Sequence, residues 1–157
     1  MSDALKALLD SPGFPEGGAW SRRRCATHEK VFDEGDSGCD VFVVLSGRVR
    51  VVGQVELDED RTLRPGYSDL EAGAVFGEMC LFDLQPRSGS VVAIEEAELA
   101  VISGDALRAH LDANPAVGYP ILKEMMNTLA GRLRTANKRV SSLFAWGLKA
   151  HGIDESL

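Results

Sequence analysis

The chain has 157 residues, 45% of them hydrophobic and 26% charged, the composition of one ordinary folded domain and not of a disordered or collagen-like chain. Asp and Glu number 24 against 17 Lys and Arg, for a net charge of -7, so the chain offers no summed attraction to a phosphate backbone and nucleic acid is not an expected partner. No apolar run approaches the ~20 residues that cross a bilayer, and the opening MSDALKALLDSPGF lacks the apolar stretch of a cleavable leader, so a cytoplasmic, membrane-free protein is expected.

In chain order, Ser2 to Asp10 reads as a short amphipathic helix, with Ser2 or Asp3 as cap and Leu5, Leu8 and Leu9 on one face. SPGFPEGG is a breaker cluster and reads as a connection. From about 19 to 102 the chain is a series of short strands. Lys30–Asp33 and Val41–Leu45 flank the turn Glu34-Gly35-Asp36-Ser37-Gly38, and Ser46-Gly47 leads into Arg48–Val55, whose polar–apolar alternation marks a strand with one wet face. Residues 56–69, polar and carrying Pro65-Gly66, read as a hairpin loop, followed by the turn Glu71-Ala72-Gly73. Val91–Glu95 and Glu98–Ile102 close the series, and about eight such strands argue a sandwich, jelly roll or barrel.

Ser103 is placed to cap a helix that carries Ala106, Leu107 and Leu111 and ends near Asn114-Pro115, and Pro120 suits the first turn of a longer one. There Leu122, Met126, Leu129, Leu133, Ala136, Val140 and Leu143 recur at alternating steps of four and three, a heptad seam that predicts pairing of two copies. The same pattern is open to a second reading, in which the seam packs on the chain's own barrel. The cysteines Cys25, Cys39 and Cys80 cannot all pair and show no CxxC spacing, so three reduced thiols are expected, with Cys80 a small residue packed under a loop. His28, His110 and His151 are too scattered to ligate a metal. Trp20, Phe76, Phe82 and Trp146 read as core or interface.

The stretch Phe76 to Val91, FGEMCLFDLQPRSGSV, holds the chemistry. Gly77 after a strand lets the backbone bend and a ligand approach. Glu78 opens a single helical turn through Phe82, and a helix start suits an anion. Nine residues on, Arg87 stands beside Ser88 and Gly89. One carboxylate, one guanidinium and small residues suit a phosphate carrying a sugar. On the residues alone, a Glu78–Arg87 salt bridge on a surface loop is the competing reading.

FGEMCL and PRSGSV resemble the phosphate-binding cassette of the cyclic nucleotide-binding domain family, with Gly89 where the family usually has Ala. VFDEGDSGCDVFVVLSGRVRVV, with Gly35, Gly38 and Gly47, is similar to the family's early strands. LEAGAVFGE resembles its turn into the cassette, and LAGRLRTANKRV its long C-terminal helix. His28 stands where the family often has Gly.

The resemblance implies a mainly β jelly-roll (double-stranded β-helix) barrel with flanking helices: an N-terminal helix and connection over 1–18, the roll with a short helix over 19–114, and a dimerisation helix and tail over 115–157. It implies that Glu78 accepts from a ribose 2′-hydroxyl, that Arg87 neutralises a cyclic phosphate, and that Ser88 donates to it. Gly77, Met79 and Cys80 would supply backbone contacts, Gly89 would leave room, and Asn137 would meet the base, where neighbouring Ala136 cannot hydrogen-bond. The implied protein is a non-enzymatic sensor of cyclic AMP, with cyclic GMP possible. It would be a homodimer acting on an unknown protein partner. FAWGLKAHGIDESL after Leu143 is too short for a helix-turn-helix. The alternative is an interaction module that kept the fold and lost the ligand.

Overall fold

A computed structural model describes residues 3–150 apart from 54, 59, 60, 64 and 65, with only the backbone for 55–58 and 61–63. Ser2, Pro65 and His151 therefore lie outside the described residues. The elements run α1 (Asp3–Leu9), β1 (Trp20–Cys25), β2 (Lys30–Phe32), β3 (Val41–Ser46), β4 (Arg48–Val52), β5 (Val55–Asp58), β6 (Arg61–Leu63), β7 (Gly66–Glu71), β8 (Val75–Phe76), α2 (Cys80–Asp83), β9 (Ser90–Ala93), β10 (Ala97–Ile102), α3 (Gly104–Ala113) and α4 (Pro115–Ala150).

Two four-stranded antiparallel sheets carry the roll, ordered β1-β10-β3-β8 and β2-β9-β4-β7, and β5 pairs with β6 alone. Among the described residues the jelly roll expected from the sequence consists of these two separate ladders, and no hydrogen-bonded closure into a barrel is seen. Val49 of β4 is fully buried while its neighbours Arg48 and Arg50 are not, as the alternation requires. It joins Val31, Phe42, Val44, Leu70, Phe76, Val91 and Leu99 in one core.

The polar stretch 56–69 is no simple loop. Gly66–Glu71 forms β7, pairing with β4 from Arg48↔Glu71 to Val52↔Gly66. Only Leu70 of that strand is buried, so its composition is that of a strand with nearly every side chain in water. The strand expected over Arg48–Val55 correspondingly ends at Val52.

The chain forms two compact units, Met1–Ile121 and Leu122–Leu157. In the first, α1 buries Leu5, Leu8 and Leu9. Phe14, in the connection that follows, is 1% exposed and meets the His110 ring edge-on at 5.2 Å, so that segment contributes to the core. Ser103 caps α3, its Oγ accepting from the Ala106 N–H at 3.3 Å. The long helix begins at Pro115, five residues earlier than expected. Proline at a helix's first position has no donor to waste, and Asn114, which ends α3, accepts at its carbonyl from Val117 and Gly118 N–H to start α4. Pro120 lies inside the helix. No helix among the described residues is long and apolar enough to cross a membrane.

In the second unit, most of the seam is exposed and Leu129 is half-buried. Leu122, Met126, Leu133, Val140 and Leu143 are exposed, as are Phe144 and Trp146.

Candidate ligand-binding site

The expected cassette is brought together around one arginine. Gly77 leaves β8 with a left-handed φ of 73°. A single helical turn follows: the Leu81 N–H donates to the Glu78 carbonyl at 3.1 Å and that of Phe82 to Met79 at 3.0 Å. Leu84 closes it, also left-handed. The chain then returns through Pro86 to Arg87.

Arg87 is 8% exposed and Glu78 2%, so the surface-loop reading of this pair does not hold. The Arg87 guanidinium donates from Nη1 to the Gly77 carbonyl and from Nη2 to the Asp40 carbonyl, each at 2.9 Å. It lies 4.5 Å from the Phe32 ring centre and 5.5 Å from that of Phe42, inside cation–π range. Its backbone is clasped by the β2–β3 turn: the Arg87 N–H donates to the Asp36 carbonyl at 3.0 Å, and the Gly35 N–H donates to the Arg87 carbonyl at 2.8 Å.

Burial lowers the Arg87 pKa from its ordinary value, while the charges of Asp40, Asp36 and Glu78 act the other way. A cation stripped of water and offered mainly neutral carbonyls gains from an arriving anion. The two carbonyl bonds take two of the five donors a guanidinium has.

The remaining cassette positions fall around it. Met79 is exposed and Ser88 Oγ lies 3.3 Å from its sulfur. Gly89 is buried between β4 and the loop, where an added β-carbon would meet Val51 Cγ1 and the Val52 carbonyl at 3.5 Å. Asn137 stands exposed on α4 within the second unit.

Cys80 is not a free thiol. It is disulfide-bonded to Cys39, with Cα atoms 5.3 Å apart, leaving Cys25 as the free, buried cysteine. The expectation of three reduced thiols is thus corrected: the two partners are 41 residues apart in sequence, and the fold, not a spacing motif, brings them together. Sequence reasoning also missed Asp40, Phe32 and Phe42. Asp40 acts through a backbone carbonyl, which leaves no side-chain signature, and the two rings read as ordinary core. His28, singled out from the sequence, is left-handed with φ 70°, which accounts for a turn where glycine would be at ease. Among the described residues no cluster of His, Cys, Asp or Glu could hold a metal.

A family model described as the cyclic nucleotide-binding domain matches residues 22–114, more than half of the chain and all of the cassette. The chain belongs to the cyclic nucleotide-binding domain family. It is 30% identical over 141 residues to the CRP-like cAMP-activated global transcriptional regulator of Mycobacterium tuberculosis, covering 89% of this chain and 54% of that protein. It is similar in structure to the catabolite activator protein of Thermus thermophilus, with a TM-score of 0.66, 29% identity, 91% of this chain and 60% of that one. It is equally similar to the c-di-GMP responsive global regulator CLP of Xanthomonas campestris, at a TM-score of 0.68 and 30% identity, over 78% of this chain and 58% of that one. The chain therefore spans about half the length of the curated regulators it matches.

Proposed function

We propose that this chain is a sensor module that binds cyclic AMP at the Arg87 cassette, with cyclic GMP the nearest competitor. The observation that carries the reading is the buried Arg87 guanidinium, flanked by Glu78 and Ser88 on a cassette inside the family match. In this reading Arg87 takes the cyclic phosphate, Glu78 the ribose 2′-hydroxyl and Ser88 a phosphate oxygen. Gly77, Met79 and Cys80 contribute backbone contacts, Gly89 leaves the ligand space, and Asn137 offers both a donor and an acceptor to an adenine edge. Each role is supported by residue type and by the resemblance of the motif.

The module acts in the cytoplasm as a homodimer through the exposed seam of α4, does no catalysis, and passes its state to a protein partner and not to nucleic acid. The phosphate draws in the cassette, and ligand and helix are coupled through the two states the cassette can adopt. Calorimetry with cyclic AMP, cyclic GMP and cyclic di-GMP tests the reading. Cyclic AMP is expected to bind tightest, and Arg87→Ala to weaken it roughly 30- to 1000-fold, about 2–4 kcal/mol. Equal affinity in wild type and variant overturns the assignment. Tightest binding of cyclic di-GMP reassigns the ligand, and no binding of any nucleotide leaves an interaction module.

A further inference from the structure

We propose that the Cys39–Cys80 pair is a reversible thiol–disulfide switch that sets how firmly the cassette is held, and through it the lifetime of the bound nucleotide. The effect on the ligand rests on the function proposed above; the switch itself does not.

The bond joins the two segments that grip Arg87. Cys39 adjoins Asp40, whose carbonyl accepts from Arg87 Nη2, and Cys80 follows three residues after Gly77, whose carbonyl accepts from Nη1. The two halves are unequally anchored. Cys39 is fixed from behind: a β-carbon on Gly104, at the start of α3, would lie 2.0 Å from the Cys39 carbonyl, so only glycine lets α3 press this close. By contrast α2 has four residues, of which Cys80 alone is buried, while Phe82 and Leu84 are exposed. A helix this short has little stability of its own. Opening the disulfide removes the one covalent tie on an element with a single buried side chain, and such an element opens at low cost.

The pair is also reachable. A cleft of about 190 Å³ is lined by both cysteines together with Ser37, Gly38, Leu84 and Pro86, among others. Arg108 Nη2 lies 3.8 Å from Cys39 Sγ, and a neighbouring guanidinium favours the thiolate over the thiol. Cys39 is therefore the attacking group when the pair is reduced.

A small-molecule disulfide such as oxidised glutathione supplies the oxidant. The Cys39 thiolate forms a bond to one glutathione sulfur as the glutathione S–S bond breaks, releasing the first glutathione thiolate. The Cys80 thiolate then attacks Cys39 Sγ, the mixed disulfide breaks, and the second glutathione leaves. The two protons of the protein dithiol end on the two glutathione thiols, and two electrons pass to glutathione. Reduction by excess thiol makes and breaks the same kinds of bond in reverse.

The test is a titration of the whole chain across glutathione buffers, read by thiol counting, hydrogen exchange and nucleotide dissociation. Three thiols are expected when reduced and one, Cys25, when the pair is closed, with full interconversion. Amides of residues 78–84 should exchange about tenfold faster in the reduced form, while those of β10 hardly change. Cyclic AMP should dissociate about tenfold faster from reduced protein, because the cassette is no longer preorganised. Cys39→Ala and Cys80→Ala should each behave as reduced protein in every buffer. A pair that stays open or closed throughout, or exchange in residues 78–84 that ignores its state, overturns the switch. If no nucleotide binds either form, the sensor reading fails while thiol count and exchange still decide the switch.

Discussion

Arg87 and Gly77 occupy each other's space. Arg87 Nη1 donates to the Gly77 carbonyl at 2.9 Å, and the same nitrogen lies 2.8 Å from where a Gly77 β-carbon would stand. The glycine is thus required twice, once for its φ of 73° and once for its missing side chain.

Gly77→Ala should cost about 1–3 kcal/mol of stability, from left-handed strain and displacement of the arginine. Gly89→Ala, two residues past Arg87, should do the opposite. Its φ is not left-handed, and the new methyl would make ordinary contact with Val51 at 3.5 Å. A gain of about 0.4–1 kcal/mol is expected from the less flexible unfolded chain. Denaturant titrations of both variants check the contrast, and equal effects would contradict it.

Glu78→Gln should weaken binding of cyclic AMP far more than binding of its 2′-deoxy analogue, because the carboxylate's proposed partner on the ligand is the 2′-hydroxyl. Losing a hydrogen bond to a charged acceptor costs about 1.5–3 kcal/mol, or roughly 10- to 150-fold in affinity. Competition binding with both ligands measures it. Equal losses would assign Glu78 to holding the buried loop.

Leu129→Asp with Leu133→Asp should halve the mass seen by light scattering. In a two-fold pair the two substitutions place four charges along the facing seams, and unpaired buried charge costs several kcal/mol. The core of the roll lies before Ile102, so its thermal transition should survive. A wild type already monomeric at high concentration defeats the pairing.

Acid should destabilise the roll through two carboxylates in particular. The Ala26 N–H at 3.0 Å and then Arg23 at 3.1 Å hold Glu29 below its ordinary pKa. The Arg50 fork, at 2.5 and 2.8 Å, does the same for Asp69. With folded values depressed, their stabilisation is whole above the unfolded values and is lost as pH falls through the folded ones. Melting temperature followed from pH ~6 to ~2 should therefore fall less steeply in Glu29→Gln/Asp69→Asn than in wild type. Parallel curves would mean that other groups set the acid limit.

What could be read from the sequence was what side chains announce. Ser103 declared its cap, Leu5, Leu8 and Leu9 their common face, and Gly35, Gly38 and Gly47 their turns, all three having positive φ. The cassette motif was legible because Glu78, Arg87 and Ser88 are polar side chains at a recognisable spacing, within the segment the family model matches. β7 was not, because a strand with one buried residue in six has no apolar alternation to find. The grip of Asp40 on Arg87 is a main-chain contact across 47 residues, and the Cys39–Cys80 bond spans 41. Neither leaves a local pattern: the pairing of β3 with β8 in one sheet sets Cys39 near Cys80, and Arg87 reaches Asp40 from the segment that enters β9 in the other.

The burial of Phe14 has a practical reach. The segment that defines the family is 22–114, but the folded unit that contains it is wider. Leu5, Leu8 and Phe14 enter the interior from before that segment and Ile121 from after it, each no more than 2% exposed. Excising the family segment alone would bare these apolar sockets at once, together with those of Leu9 and Trp20. Anyone grafting this ligand reader onto another protein, as a biosensor for instance, should carry the chain from Asp3 through Asn137, which keeps Ile121 and the buried Met125 and includes the residue proposed for the base.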